Sequence, residues 1–225
     1  MIAFIFAMEK EAKPLLDISK EIKNEKHGVA LFSLREYQNK KFLLVISGIG
    51  KTLSGAAVAV IPLLYKEVNV LISLGLSASL NSDKYPSLTA IVPEKFVNYD
   101  IDTTPFGDPL GAFFDPAIVY FEANQKLRNI ILTANPHSIP SFIECSGDKF
   151  IASKLDKDFL KNSFNAESID METGSEAAIA YNLQLPFAAL RVISDSGEGT
   201  NCYEENVKKG SELLAKSATK ILEKY

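Results

Sequence analysis

Glu172, Arg191 and Asp195 are the residues of this 225-residue chain whose types and places first suggest chemistry. Phe187 to Ser194 is an almost continuous apolar run, the composition of a strand buried in a parallel sheet. Side chains alternate along a strand, so Phe187, Ala189, Arg191, Ile193 and Asp195 are expected to project the same way. An arginine and an acid on such a face are costly to bury unless paired or used. Glu172 closes the turn Asp170-Met171-Glu172, which follows a short extended segment and leads into an alanine-rich helix through Asn182. In open α/β sheets ligands bind beyond the carboxyl ends of strands. Two carboxylates there suit acid/base chemistry on a small molecule.

The elements that must position them read in order along the chain. Strand Ile2 to Ala7 passes directly into a helix whose first turn holds Glu9 and Glu11. Acids there complement the positive helix end, but residues two apart point in different directions, so at most one faces the crevice. Gly28 to Leu34 and Lys41 to Ile46 read as strands about a polar turn. Ser47-Gly48-Ile49-Gly50-Lys51-Thr52 then leads into an apolar helix, roughly Leu53 to Tyr65. A phosphate-binding P-loop would need glycine where Val45 stands. That reading fails, and a glycine turn allowing close backbone approach remains.

Val68 to Leu74 is a further buried strand, ending in Gly75-Leu76-Ser77-Ala78-Ser79, whose small residues suit either a ligand or tight packing. Ile91 to Val97 is extended. Asn98 to Pro116 forms a long loop carrying Tyr99, Phe106, Phe113 and Phe114, aromatics that suit a lid, a subunit contact or a satellite cluster. Phe142 to Cys145 is a short strand before Ser146-Gly147-Asp148-Lys149-Phe150-Ile151. His27 and His137 are read as structural or solvent residues. The last helix, about Tyr203 to Glu223, has its apolar positions at helical spacing and packs on the sheet. Strand–helix units with antiparallel strands inserted near the front predict an α/β fold. Its architecture is a three-layer α/β/α sandwich around a mixed, twisted sheet. One crevice could collect Glu11, Gly48, Gly75, Glu172 and Asp195.

Composition narrows the classes. Apolar residues make up 47% and charged residues 23%, as in an ordinary globular protein of one domain, here residues 1–225. A net charge of −4 gives no footprint for nucleic acid. The first apolar run is too short for a signal peptide, and no segment reaches the length of a membrane span. Cys145 and Cys202 lack metal or redox spacing. A cytoplasmic protein with free thiols, no metal and no cofactor is expected.

Five motifs stand in one order: Phe6-Ala7-Met8-Glu9-Lys10-Glu11, Ser47-Gly48-Ile49-Gly50-Lys51, Ser146-Gly147-Asp148-Lys149-Phe150-Ile151, Asp170-Met171-Glu172 and Arg191-Val192-Ile193-Ser194-Asp195. Together they resemble the 5′-methylthioadenosine/S-adenosylhomocysteine nucleosidases of the nucleoside phosphorylase superfamily, over essentially the whole chain. The resemblance implies hydrolysis of the N-glycosidic bond of an adenine nucleoside, releasing adenine and a 5-thioribose derivative. It implies that Glu11 positions the attacking water and that Glu172, with the Met171 backbone, holds the ribose and stabilises its cationic form. Asp195, beside Ser194, would protonate or hydrogen-bond purine N7. Phe150 would stack on the base while Ile151 reads its edge, and Arg191 would order the acids. Ile49, Gly75, Leu76 and Tyr203 would line the substrate pocket. Phe106 would close over the pocket of a neighbouring subunit in a homodimer.

The chemistry agrees with these roles. An oxocarbenium-like transition state is helped by negative charge beside the sugar and a proton at the leaving group. Glu9 and Glu11 would repel phosphate, so water is the expected nucleophile. An aspartate at position 195 favours a 6-amino purine by the family's pattern. Departures from that pattern bear on the 5′ side and the water site. Leu76 stands where a hydroxyl residue is usual, Asp170 replaces a longer acid, and Thr103 replaces a more apolar residue. Futalosine-type or inosine-type nucleosidases, a phosphorylase and a nucleoside-binding protein of decayed activity are the other readings.

Overall fold

The run Ile2–Phe6 (β1) is buried at every position, as an interior parallel strand must be. It is followed by α1 (Glu9–Ile18), β2 (Lys20–His27), β3 (Ala30–Tyr37), β4 (Lys40–Ile46), α2 (Lys51–Leu64), β5 (Val70–Ser79), β6 (Ala90–Val92) and β7 (Lys95–Asn98). A 3-10 turn at Thr104–Phe106 precedes β8 (Phe121–Glu122), α3 (Gln125–Ala134), β9 (Ile139–Pro140) and β10 (Ile143–Ser146). The chain ends with α4 (Lys154–Phe164), β11 (Ser168–Asp170), α5 (Thr173–Asn182), β12 (Phe187–Asp195) and α6 (Tyr203–Lys224). This computed structural model describes residues 1–113, 117–195 and 203–225, the Tyr203 side chain excepted.

The strands form one mixed sheet in the order β2-β3-β4-β1-β5-β11-β10-β7-β8, with β12 and β6 branching from β5. Helices α2 and α5 pack together on one face, and α1, α6 and α3 cover the other. The expected three-layer α/β/α sandwich is what forms. Its core is the apolar centre of β1, β4, β5 and β12, including Phe4, Leu44, Ile72 and Leu190.

The sheet's pairing opens the crevice. One edge of β5 pairs with β12 from Leu71 to Ala78. The other edge pairs with β1 only as far as Ser73 and with β11 only at Ala78 and Ser79. Between those two partners, no strand among the described residues lies beside the Gly75–Ser77 backbone on that edge. A sheet that splits at its carboxyl end in this way is where α/β folds bind ligands.

Two details differ from the sequence expectations. The exposed, charge-rich strand β2 was not foreseen, and neither was α3, capped by the side chain of Asn124; α4, which follows Phe150 and Ile151, is capped by Ser153. Strict alternation along β12 also fails. The register slips between Ile193 and Asp195, so Asp195 pairs with Ala78 and no longer shares the Arg191 face. The bulge re-aims this one acid.

Candidate active site

Glu11, Glu172 and Asp195 line one pocket at the split end of β5, together with Met8, Ile49, Leu76, Ser77, Phe150, Ile151, Met171 and Ser194. Each acid arrives from a different element: the first turn of α1, the start of α5 and the end of β12. Of the two acids in the first turn of α1, Glu11 is buried and Glu9 exposed, so one faces inward as expected.

Two backbone donors fix Glu11. Leu76 N–H donates to its Oε1 at 3.1 Å and Met8 N–H to its Oε2 at 3.0 Å. Leu76 N–H is available because β1 has already ended on that edge of β5. Burial pushes the Glu11 carboxyl above its ordinary range, against the pull of Arg191 and these two amides. The Leu76 side chain itself turns toward α6, where a β-carbon on Gly210 would meet its Cδ2 at 2.7 Å.

Glu172 accepts the Gly50 N–H at 2.8 Å. Gly50 has φ of 94°, a left-handed conformation that suits glycine, and its neighbour Lys51 donates its own N–H to Asp148 at 2.7 Å. Lys51 also pairs with Asp100, and Asp148 N–H donates to Asp100 at 3.0 Å, so three loops lock around the pocket rim. Burial and then the nearby Asp170 push Glu172 up to about 8.

Beneath the pocket, the buried Arg191 guanidinium pairs with Asp170 at 2.7 Å and donates to Ser73 Oγ at 2.8 Å and to Thr173 Oγ1. Asp170 also accepts the backbone N–H groups of Glu172 and Thr173, which caps α5 and sets the Glu172 backbone. The strand arginine is therefore paired, as its cost of burial demands. Gly75 lets the guanidinium pass: a β-carbon there would overlap Arg191 Nη1 and stand 3.5 Å from Glu11 Oε1. Ser194 Oγ donates to Asp195 Oδ2 at 3.1 Å.

The remaining sequence-selected residues divide simply. Phe150 is half-exposed at the rim, Ile151 is buried, and Ile49 is exposed at the mouth. Arg191 and Gly75 underlie the pocket and do not line it; Gly48 stays outside it, against Leu53. Phe106 is 89% exposed and does not reach the pocket of its own chain. The Tyr203 side chain, Phe114 and Cys202 lie outside the described residues.

Sequence reading missed Glu144 and Glu176, both buried in the layer around Arg191. Glu144 carried the same signal as Arg191, a charge inside the apolar segment Phe142 to Cys145. Glu176 sits in an alanine-rich helix whose buried face the sequence does not reveal. Burial foremost pushes Glu144 up to about 8 and Glu176 up to about 7, with Asp170 adding to both. Among the described residues no group of His, Cys, Asp or Glu could hold a metal ion.

The sequence model of the phosphorylase superfamily matches residues 1–225. The chain belongs to this superfamily. It is 29% identical over 231 residues to an aminodeoxyfutalosine nucleosidase of Campylobacter jejuni, covering 99% of this chain and 98% of the relative. It is also 29% identical over 200 residues to a 5′-methylthioadenosine/S-adenosylhomocysteine nucleosidase of Buchnera aphidicola, covering 88% and 79%. A crystal structure of the Helicobacter pylori 5′-methylthioadenosine/S-adenosylhomocysteine nucleosidase, bound to an amino-pyrrolopyrimidine joined to a pyrrolidinol, superposes with a TM-score of 0.91. It is 26% identical and covers 100% of this chain and 98% of that one.

Proposed function

We propose that this superfamily member is a purine nucleosidase that hydrolyses the N-glycosidic bond of 5′-methylthioadenosine and S-adenosylhomocysteine. The observation that carries the reading is the convergence of Glu11, Glu172 and Asp195 on one pocket with Phe150 at its rim. Both kinds of related nucleosidase support the reaction class.

In this mechanism Asp195 protonates N7 of the base as the C1′–N9 bond breaks, so neutral adenine leaves. Water adds its oxygen to C1′ and gives its proton to Glu11, a base whose two backbone donors leave a lone pair for the water. Glu172 grips the ribose hydroxyls. Negative charge on Glu172 beside the sugar is worth more as the cation grows, so its stabilisation increases toward the transition state. Arg191 spaces Glu11 from the acids of α5 and keeps the set from neutralising itself entirely by protonation. No cofactor is required.

A second reading has the same base-side chemistry acting on aminodeoxyfutalosine, favoured by the near-complete match to the Campylobacter jejuni relative. The two differ only at the 5′ substituent. We place the enzyme in the cytoplasm as a single domain. We also infer that it works as a homodimer, because Ile49, Leu53, Phe106 and Leu155 expose apolar surface that a second subunit would cover. In that arrangement Phe106 closes the neighbour's 5′ pocket.

The roles are tested by single-turnover cleavage with Glu11→Gln and Asp195→Asn. Each is expected to slow the chemical step by about 100-fold or more while substrate still binds. Wild-type rates in both variants would refute the assignment.

A further inference from the structure

Glu144 is a buried acid that the mechanism above leaves unused. It lies on β10 with no exposed surface. The Ser77 hydroxyl donates to its Oε1 at 2.5 Å, and the Ser168 hydroxyl donates to its Oε2. Ser77 lines the pocket between Leu76 and Ala78, whereas Ser168 does not. The charged and titratable groups that act on Glu144 are Asp170 from β11, Arg191 from β12 and its own neighbour Cys145, and Glu172 and Glu176 from α5 act on the same Arg191 guanidinium. Glu11, from α1, completes the set of acids that share the Arg191 guanidinium. A buried set of carboxyls facing one guanidinium cannot all ionise, so protons stay within it.

We propose that Glu144 is a positioning residue for the nucleosidase reaction: bonded to Ser77 beneath the pocket floor, it sets which way the Ser77 hydroxyl faces the bound nucleoside. This rests on the function proposed above. The argument is one of donors and acceptors. An ionised carboxylate only accepts, so it takes the Ser77 proton and leaves the pocket facing an oxygen lone pair. A protonated Glu144 donates from Oε1 to Ser77, and the Ser77 O–H is released to donate to an acceptor on the ribose or the base. Burial foremost and then the adjacent Asp170 favour that protonated form, and they outweigh Arg191 and the Ser168 and Ser77 hydroxyls, which favour the ionised one. The floor then offers a hydrogen bond below the titration of Glu144 and withdraws it above.

Two readouts test this. Infrared spectra of the ligand-free protein should show a protonated carboxyl band that fades between about pH 6 and pH 9 and is reduced in Glu144→Gln. That arm holds whether or not any nucleoside is cleaved, so it separates this proposal from the proposed function. The second readout is the pH profile of kcat/KM with methylthioadenosine. Glu144→Gln keeps a donor facing Ser77 at every pH and should move the alkaline limb upward by about one unit. Ser77→Ala should lower kcat/KM about tenfold near neutral pH and flatten the same limb, and it serves alone if Glu144→Gln does not fold. A band that Glu144→Gln leaves intact, or variant profiles that superpose on wild type, would overturn the proposal.

Discussion

The guanidinium of Arg191 lies directly against the backbone of Gly75, in the space that any side chain at that position would take. The contact joins two strands of the central sheet, since Arg191 and Gly75 are register partners in β12 and β5. It also brings the cation up to Glu11, which sits 3.5 Å from the same vacant β-carbon position. A single missing methyl group lets one arginine serve acids on both sides of the sheet's split.

Gly75→Ala is accordingly expected to displace a buried, paired guanidinium. Breaking such a pair costs about 3–5 kcal/mol. The denaturant midpoint should fall in proportion, and nucleosidase activity should drop about 100-fold or more as Glu11 loses its place. Equilibrium urea unfolding with the activity assay measures both. A stable, active Gly75→Ala protein would mean that Arg191 has another way to reach its partners.

Stability should fall as pH rises through neutrality. Glu144 and Glu172 are pushed up to about 8 and Glu176 up to about 7, in each case by burial first. In the unfolded chain each returns to about 4.5. Between those values the folded state binds more protons than the unfolded state. The contribution is therefore complete below about pH 4.5 and lost as pH rises toward 8. Each group adds a slope of at most about 1.4 kcal/mol per pH unit within its own window. Thermal melts of the ligand-free protein should show Tm falling across that range, less steeply in Glu176→Gln. A Tm that climbs steadily to pH 8 would contradict the assignment.

Leu76 and Gly210 should behave as a coupled pair. The Leu76 backbone holds Glu11 while its side chain fills the space that Gly210 leaves on α6. Gly210→Ala should push Leu76 away and reduce kcat about tenfold, and adding Leu76→Ala should restore part of the loss. The double-mutant cycle is expected to give a coupling of about 1–2 kcal/mol. Additive effects would show that α6 does not set the Glu11 cradle.

Much of this was legible in the sequence where chemistry and periodicity disagreed. Arg191 and Asp195 stood out because charge interrupts an apolar strand, and Asp170-Met171-Glu172 because acids sit at a turn between two buried elements. The bulge at the end of β12 left no mark, because inserting one residue into a register changes pairing without changing composition. Strand β2 was missed for a different reason: Lys20–His27 is an exposed edge with no apolar alternation. The buried acids under the site were hidden for a third. Glu176 becomes unusual only when the fold brings it beside Arg191, whereas Glu144, a charge inside a short apolar strand, carried a signal that was overlooked. Leu76 looked like a lost hydroxyl, yet the bond that matters at position 76 comes from its backbone.

Release of free base is the most direct test of the central claim. Purified protein would be incubated with methylthioadenosine and with S-adenosylhomocysteine, each with and without inorganic phosphate, and the products separated by chromatography. The account predicts adenine from both nucleosides at rates that phosphate does not change. Adenine appearing only when phosphate is present, or no base released from either nucleoside, would contradict it.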